Sequence, residues 1–256
     1  MDLGLKGKTA VVTGGTRGIG RAIAETFADE GANVAICARK ADQVDEAVKA
    51  LQAKGVKAFG QVVDIADGPA LQGFVKAAGE ALGGIDVLVS NASALVQGNS
   101  EKDWQAMFDI DMLGAVRTFE AAQPFLAKAA EAKGDAAFLI ISSVSSVNAD
   151  QPSSYGAMKA ALIHFAKGVA RANAGAKVRC NVVSPGTVFF EDGVWGNVKR
   201  NAPAFFEQMI KRNPTGRMAT PQEIAAATVF LASPRSAFTT GINMIVDGAI
   251  TQRANY

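Results

Sequence analysis

Tyr155 and Lys159 stand four residues apart in Tyr155-Gly156-Ala157-Met158-Lys159. On a helix this spacing puts both side chains on one face, one turn from each other. An ammonium beside a phenol favours the phenolate, and a tyrosine so placed gives or takes a proton at a carbonyl or alcohol oxygen. Ser142 and Ser143 close an apolar run just upstream, and a hydroxyl there can hold the same oxygen. Taken alone, Tyr-x-x-x-Lys is common by chance, and an exposed helical pair is its plain reading. The chain has one histidine, His164, so a Ser-His-Asp triad or a histidine metal site has to use it. It leaves the Tyr155 face and is flanked by Ile163 and Phe165, which predicts a packed helix histidine rather than a catalytic one. No histidine and cysteine cluster has ligand spacing, so no metal is expected. Cys37 and Cys180 lie in apolar runs and read as buried, inert thiols.

A second group of residues suits a phosphate. Thr13-Gly14-Gly15-Thr16-Arg17-Gly18-Ile19-Gly20 follows the first β-rich run and opens a helical stretch. Glycine lets backbone approach a phosphate closely, and the free N–H groups and dipole of a helix N-terminus attract it. A dinucleotide takes this position in doubly wound sheets; a plain tight turn is the alternative. The spacing is Gly-x-x-x-Gly-x-Gly rather than G-x-G-x-x-G, and the missing Gly-Lys-Ser/Thr excludes a P-loop. The second β-rich run ends in Ile36-Cys37-Ala38-Arg39-Lys40, with no acid before Asp42. An acid at that place binds the ribose hydroxyl of NAD, and an arginine accommodates the 2′-phosphate of NADP. Arg39, with Arg17 in the turn, therefore predicts NADP(H), with NAD(H) as second choice; two solvated surface arginines are the plain alternative.

Both groups need a frame that brings them together. Near-continuous apolar runs at 9–13, 33–38, 58–63, 86–90, 136–142, 178–184 and 243–246 read as strands buried on both faces. Stretches of helical spacing at 19–30, 41–54, 69–82, 101–130, 154–172 and 221–233 alternate with them. This alternation predicts an α/β chain: a single-domain doubly wound Rossmann fold over 1–256, with a seven-stranded parallel sheet and helices on both faces. The interval 186–220 breaks the rhythm and is dense in aromatics (Phe189, Phe190, Trp195, Phe205 and Phe206). It reads as a substrate-binding lid, or as a helical insert packed on the body. Of the 256 residues 49% are hydrophobic, and 26 basic against 24 acidic residues leave a net charge of +2. So even a balance argues against nucleic-acid and membrane-surface partners. No uncharged apolar stretch reaches the ~18 residues of a membrane span, and residues 1–8 carry no hydrophobic signal segment, so a soluble, cytoplasmic protein is expected.

Taken jointly, these motifs resemble the classical short-chain dehydrogenase/reductase family over nearly the whole chain. Thr13 to Gly20 match its cofactor turn, with Gly14, Thr16, Arg17, Gly18, Ile19 and Gly20 as cofactor contacts and Arg39 beside them. Asp64 and Ile65 match the pair by the adenine, and Asn91-Ala92 the core of the motif after the fourth strand. Ser143, Tyr155 and Lys159 match the catalytic residues, Tyr155 and Lys159 also touching the cofactor. Asn181 and Pro185-Gly186, with Val188, match the stretch whose backbone meets the nicotinamide, and 241–248 the last strand. The resemblance implies hydride transfer between NADPH and a carbonyl carbon, with Tyr155 giving the proton, Ser143 bonding the oxygen, and Lys159 lowering the tyrosine pKa and binding the nicotinamide ribose hydroxyls. It also implies a homotetramer or homodimer, with a small carbonyl or alcohol compound as partner.

The departures from the family pattern are specific. The relay asparagine of the family falls at Asp111, which we expect to keep the relay with an altered pH profile; the alternative is that it only braces a helix. Ser93 replaces a glycine after Asn91-Ala92, and Ser143 stands 12 residues before Tyr155, one fewer than usual. Phe190 occupies the place of a threonine that touches the nicotinamide amide, with Thr187 nearby but off the pattern. The aromatic insert suits an apolar ketone or an acyl thioester, a 3-oxoacyl thioester being the specific expectation. The competing class is a non-catalytic dinucleotide sensor or scaffold on the same fold.

Overall fold

The computed structural model describes residues 1–96, 98–149 and 151–253. Strands β1 (Thr9–Thr13), β2 (Asn33–Ala38), β3 (Ala58–Val62), β4 (Val87–Ser90), β5 (Ala136–Ile141), β6 (Val178–Pro185) and β7 (Asn243–Val246) form one sheet. Their order is β3-β2-β1-β4-β5-β6-β7, and every pairing is parallel. Parallel neighbours need crossovers, and helices on both faces supply them. These are α1 (Gly18–Asp29), α2 (Ala41–Gln52), α3 (Gly68–Leu82), α4 (Glu101–Met107), α5 (Leu113–Lys133), α6 (Ser154–Asn173), α7 (Val194–Asn201), α8 (Pro203–Arg212) and α9 (Pro221–Ala232).

Alternation along the strands makes two cores, one on each face. Val11, Leu88 and Phe138 point to α3, α5 and α6, where Leu71, Phe74, Leu126 and Leu162 are buried. Val12, Val89 and Leu139 point to the other face, against Ile23, Phe27, Leu51, Ile224 and Val229. The chain runs outward from β1 to β3 and then returns to place β4 on the other side of β1. The carboxyl ends of β1 and β4 therefore flank the switch point, where ligands of such sheets bind.

The helix expected at 101–130 is interrupted. α4 ends at Met107, a π-helical turn covers Phe108–Met112, and α5 resumes at Leu113. Nothing in the spacing of this stretch marked the break. A π turn inserts one residue and rotates the helix beyond it, and here it carries Asp111.

At the amino edge, buried charges staple the sheet. Asp86 accepts Thr9 N at 2.8 Å and Lys133 Nζ at 2.7 Å. The Arg179 guanidinium forks onto Asp135 at 2.7 and 3.1 Å. It also donates to the carbonyls of Leu231, Ala232 and Ser233 at the end of α9 and to the Ser236 hydroxyl. Between β6 and α9 the chain leaves the sheet. A bridge between Val188 and Ala219 pinches the base of this insert, which holds α7 and α8. Among the described residues no helix is long and apolar enough to cross a membrane.

Candidate active site

Lys159 is the centre of the carboxyl-edge cluster. Its Nζ lies 2.9 Å from Asp111 Oδ1, with both side chains almost wholly buried, and donates to the Ile141 carbonyl at 3.0 Å. The ammonium stands 5.6 Å from the Tyr155 ring centroid. Burial works to strip Lys159 of its proton, but the Asp111 carboxylate, and next the Tyr155 phenol, outweigh it and hold Lys159 above the usual lysine value. Asp111 Oδ2 accepts Ala94 N at 2.9 Å. Oδ1 is the oxygen that pairs with the ammonium.

The two serines divide their work. Ser142 Oγ donates to the Lys159 carbonyl at 2.9 Å, wholly inside the protein. Ser143 Oγ accepts Ser145 N at 3.1 Å, so its own hydrogen is left for another acceptor. His164, expected to be packed, is exposed on α6: helical rotation carries it past the buried stripe of Leu162 and Ala166. Cys37 is buried as expected, and that burial pushes its thiol up to about 12.

The glycine-rich turn is built against β4. Asn91 Nδ2 donates to the Thr13 and Gly14 carbonyls at 3.0 and 3.3 Å. Asn91 N and Ala92 N donate to Thr13 Oγ1 at 3.0 and 3.2 Å. A Cβ at Gly20 would strike the Gly14 carbonyl and the Asn91 amide, and Gly18 holds φ +55°. The turn thus closes only with glycine there. Thr16 is buried behind it, and Ile19 is half-buried in the first turn of α1. α1 and α2 begin at Arg17 and Lys40 with no side-chain cap, whereas α3 and α6 are capped by Asp67 and Ser153. Arg39 and Lys40 are exposed, and among the described residues neither enters an ion pair. Arg17 donates to the Asp192 carbonyl at 3.3 Å. Uncapped N–H groups, a glycine cradle, an exposed Arg17 and an Arg39 outside any ion pair among the described residues fit a dinucleotide with a phosphorylated ribose.

The remaining residues of the expected set fall around the same edge. Asp64 is exposed and accepts Ala66 N at 3.0 Å, while Ile65 packs against Gly114. Pro185 ends β6, Gly186 N donates to the Val246 carbonyl at 2.9 Å, and Val188 is buried in the bridge to Ala219. Among the described residues no group of three or more His, Cys, Asp or Glu side chains is placed to hold a metal ion.

A family model described as Enoyl-(Acyl carrier protein) reductase matches residues 14–251. Isoepoxydon dehydrogenase patN of Penicillium expansum is 34% identical over 257 residues, covering 98% of this chain and 97% of its own. The chain belongs to the short-chain dehydrogenase/reductase family and is an oxidoreductase. Among solved structures, L-sorbose reductase of Gluconobacter frateurii, complexed with NADPH and L-sorbose, is 31% identical with a TM-score of 0.89, covering 99% of this chain and 100% of that one. A short-chain dehydrogenase of Burkholderia cenocepacia in complex with NADP is 28% identical with a TM-score of 0.84, covering 96% and 98%.

Within this family frame, two placements were not legible beforehand. Phe190 does not merely replace a threonine: its ring presses on the cofactor turn, so that a Cβ at Gly18 would stand 2.6 Å from Phe190 Cζ. The other aromatics of the insert pack on one another, Trp195 against Phe205 at 6.1 Å and Phe189 against Phe206 at 5.6 Å. Lys199 lies 4.9 Å over Phe189. This packing buries Phe206 and leaves Phe189 and Trp195 half-buried, while Phe205 stays exposed.

Proposed function

We propose that this protein is an NADP(H)-dependent ketone reductase or alcohol dehydrogenase acting on a small carbonyl or alcohol compound. The observation that carries the reading is the buried Lys159–Asp111 pair one helical turn from Tyr155, at the strand ends beside an uncapped glycine turn. NADP(H), when bound, supplies or accepts the hydride. Gly14, Gly18, Ile19 and Gly20 would hold its diphosphate by backbone N–H groups, and Arg17 and Arg39 its 2′-phosphate. Pro185, Gly186 and Val188 would hold the nicotinamide by their backbone, and Ile65 with Asp64 the adenine side.

In the reductive direction Tyr155 gives its hydroxyl proton to the carbonyl oxygen, and Ser143 donates its free hydrogen to the same oxygen. Lys159 is held cationic by Asp111, so its charge favours the developing negative charge on the oxygen and then on Tyr155. Asp111, anchored at Oδ2 by Ala94 N–H, keeps Lys159 charged through Oδ1. In oxidation the same groups run in reverse.

The insert at 186–220 acts as the substrate lid. Phe189 and Phe206 pack on each other, and the relatives named for isoepoxydon and L-sorbose favour a compact oxygenated ketone over a 3-oxoacyl thioester. Exposed Trp104 and Phe108 on one side, and Phe238 and Ile242 on another, support a homotetramer or homodimer. The test is the loss of reduced-nicotinamide absorbance over a panel of ketoses, cyclic ketones and a 3-oxoacyl thioester, with NADPH and then NADH. Turnover of a ketone with NADPH is expected. Faster turnover with NADH would overturn the cofactor reading, and NADPH binding without turnover of any carbonyl would favour a sensor.

A further inference from the structure

Lys159 and Tyr155 share a helix but are held in different ways. Lys159 lies one turn inside α6, its ammonium bound by Asp111 and the Ile141 carbonyl and its own carbonyl bound by Ser142. Tyr155 is half-buried in the first turn, where backbone N–H groups have no helical partner and helices fray. That turn is fastened from outside. Ser153 Oγ accepts Gly156 N at 3.0 Å. Asn99 Oδ1 accepts Ser154 N at 2.9 Å, while Asn99 Nδ2 donates to the Pro152 carbonyl. Ser154 Oγ returns the contact, donating to the Gly98 carbonyl at 3.0 Å.

The segment that carries Asn99 is tied at its other end to the same site, through Ala94 N on Asp111 Oδ2. Between them Leu95 holds φ +53°, a conformation that costs energy for a leucine and persists where the surroundings impose it. One short segment therefore spans from the Asp111–Lys159 pair to the residue just before Tyr155; Gln97 within it lies outside the described residues. Asn99 itself is exposed. Hydrogen bonds in solvent add little to global stability, so what this clasp fixes is the position of the first turn of α6.

We infer that Asn99 is a positioning residue for Tyr155, its side-chain amide reading Ser154 N–H and the Pro152 carbonyl together to set where the reacting hydroxyl stands. The inference rests on Tyr155 being the proton-transfer residue. It is tested in the full-length protein with NADPH by comparing Asn99→Ala, Asn99→Asp and Tyr155→Phe. The readouts are kcat and KM for the carbonyl, the NADPH dissociation constant by fluorescence, Tm, and amide hydrogen exchange along α6. Asn99→Ala is expected to lower kcat by about 10- to 100-fold, the scale of a slightly misplaced group. Exchange at 153–158 should quicken about tenfold, with the NADPH dissociation constant, Tm and exchange at 160–172 unchanged. Asn99→Asp keeps the acceptor for Ser154 N but loses the donor to the Pro152 carbonyl, and should recover only part of kcat. Unchanged kcat in Asn99→Ala, or unchanged exchange at 153–158, overturns the inference. So does faster exchange along all of α6 with a matching fall in Tm, which would make Asn99 a structural brace. If Tyr155→Phe keeps full activity, the proton-transfer reading fails instead, and the exchange data still decide whether Asn99 holds the turn.

Discussion

At the amino edge of the sheet, the Arg179 fork meets Asp135 at 2.7 and 3.1 Å and its hydrogens also reach four carbonyls and a hydroxyl. At the carboxyl edge, Lys159 meets Asp111 at 2.9 Å and the Ile141 carbonyl at 3.0 Å, which leaves one of its three ammonium hydrogens over, and the Ser143 hydrogen has no acceptor among the described residues. Both pairs are buried, so both bear the desolvation cost of charge. The first is saturated and serves only to close the fold around the end of α9. The second keeps hydrogen-bonding capacity in hand, and capacity left open inside a protein is what a reacting oxygen can use. Saturation, more than burial, separates the structural charge from the functional one.

That contrast can be broken at either edge. The largest effect on activity is expected from Tyr155→Phe, which should lower kcat by about 10²- to 10⁴-fold with Tm and NADPH affinity intact. Arg179→Leu should do the opposite: it leaves Asp135 buried and unpaired, destabilising the fold by about 3–5 kcal/mol in chemical denaturation, while the enzyme that remains folded keeps its kcat. A large loss of kcat in folded Arg179→Leu would erase the distinction between the edges.

The two serines sharpen it within a single strand end. Ser143→Ala should cost about 10²-fold in kcat, as for loss of a donor to a developing oxyanion. Ser142→Ala should cost mainly stability, about 1 kcal/mol; the reverse result would move the assignment to Ser142. Arg39→Ser should raise the KM for NADPH by about 10-fold or more, the worth of a charge-assisted hydrogen bond, and leave that for NADH unchanged.

Asp111→Asn is the finest probe. The amide oxygen can still face the ammonium, but the charge that offsets burial is gone, so Lys159 loses its proton at a lower pH and the alkaline limb of the rate profile should move down, with a several-fold change in rate near neutrality. The sign for stability comes from the same shift. A lysine held above its usual value contributes stability below pH 10.5 and loses it only as pH rises through the higher folded value. The native pair should therefore hold across the neutral range and fail only in strong alkali. An unchanged rate and profile in Asp111→Asn would reduce Asp111 to a helix brace.

Much of the frame was legible because local and global signals agreed. Apolar runs gave β1, β2 and β7 to the residue, although the edge strands β3 and β7 are largely half-buried rather than buried on both faces, and glycine spacing gave the turn after β1. That Tyr155 and Lys159 share one helix just beyond the Ser142-Ser143 strand end was readable from spacing and order; the roles proposed for Ser143, Tyr155 and Lys159 come from the family resemblance. The π turn at Phe108–Met112 was not, since its apolar positions suit an uninterrupted helix and the rotation that brings Asp111 inward is imposed by packing. Asn99 was hidden for a different reason. An exposed asparagine in a loop has no distinguishing pattern, and its role arises only when the start of α6 comes alongside. His164 was misjudged because apolar neighbours in sequence are not neighbours on a helix face.

Phe190 bears on how this enzyme can be re-engineered. Its ring fills the space over Gly18 and lies equally close to Gly193, a Cβ at either glycine standing 2.6 Å from Phe190 Cζ. The insert and the cofactor turn are thus two halves of one fitted joint. A loop graft from a relative cannot be treated as a cassette: a donor segment with a small residue at 190 would leave a void above the turn, and a non-glycine at 18 would eject the native insert. Libraries that vary substrate preference should keep Gly18, Phe190 and Gly193 as one unit and diversify the chain beyond them.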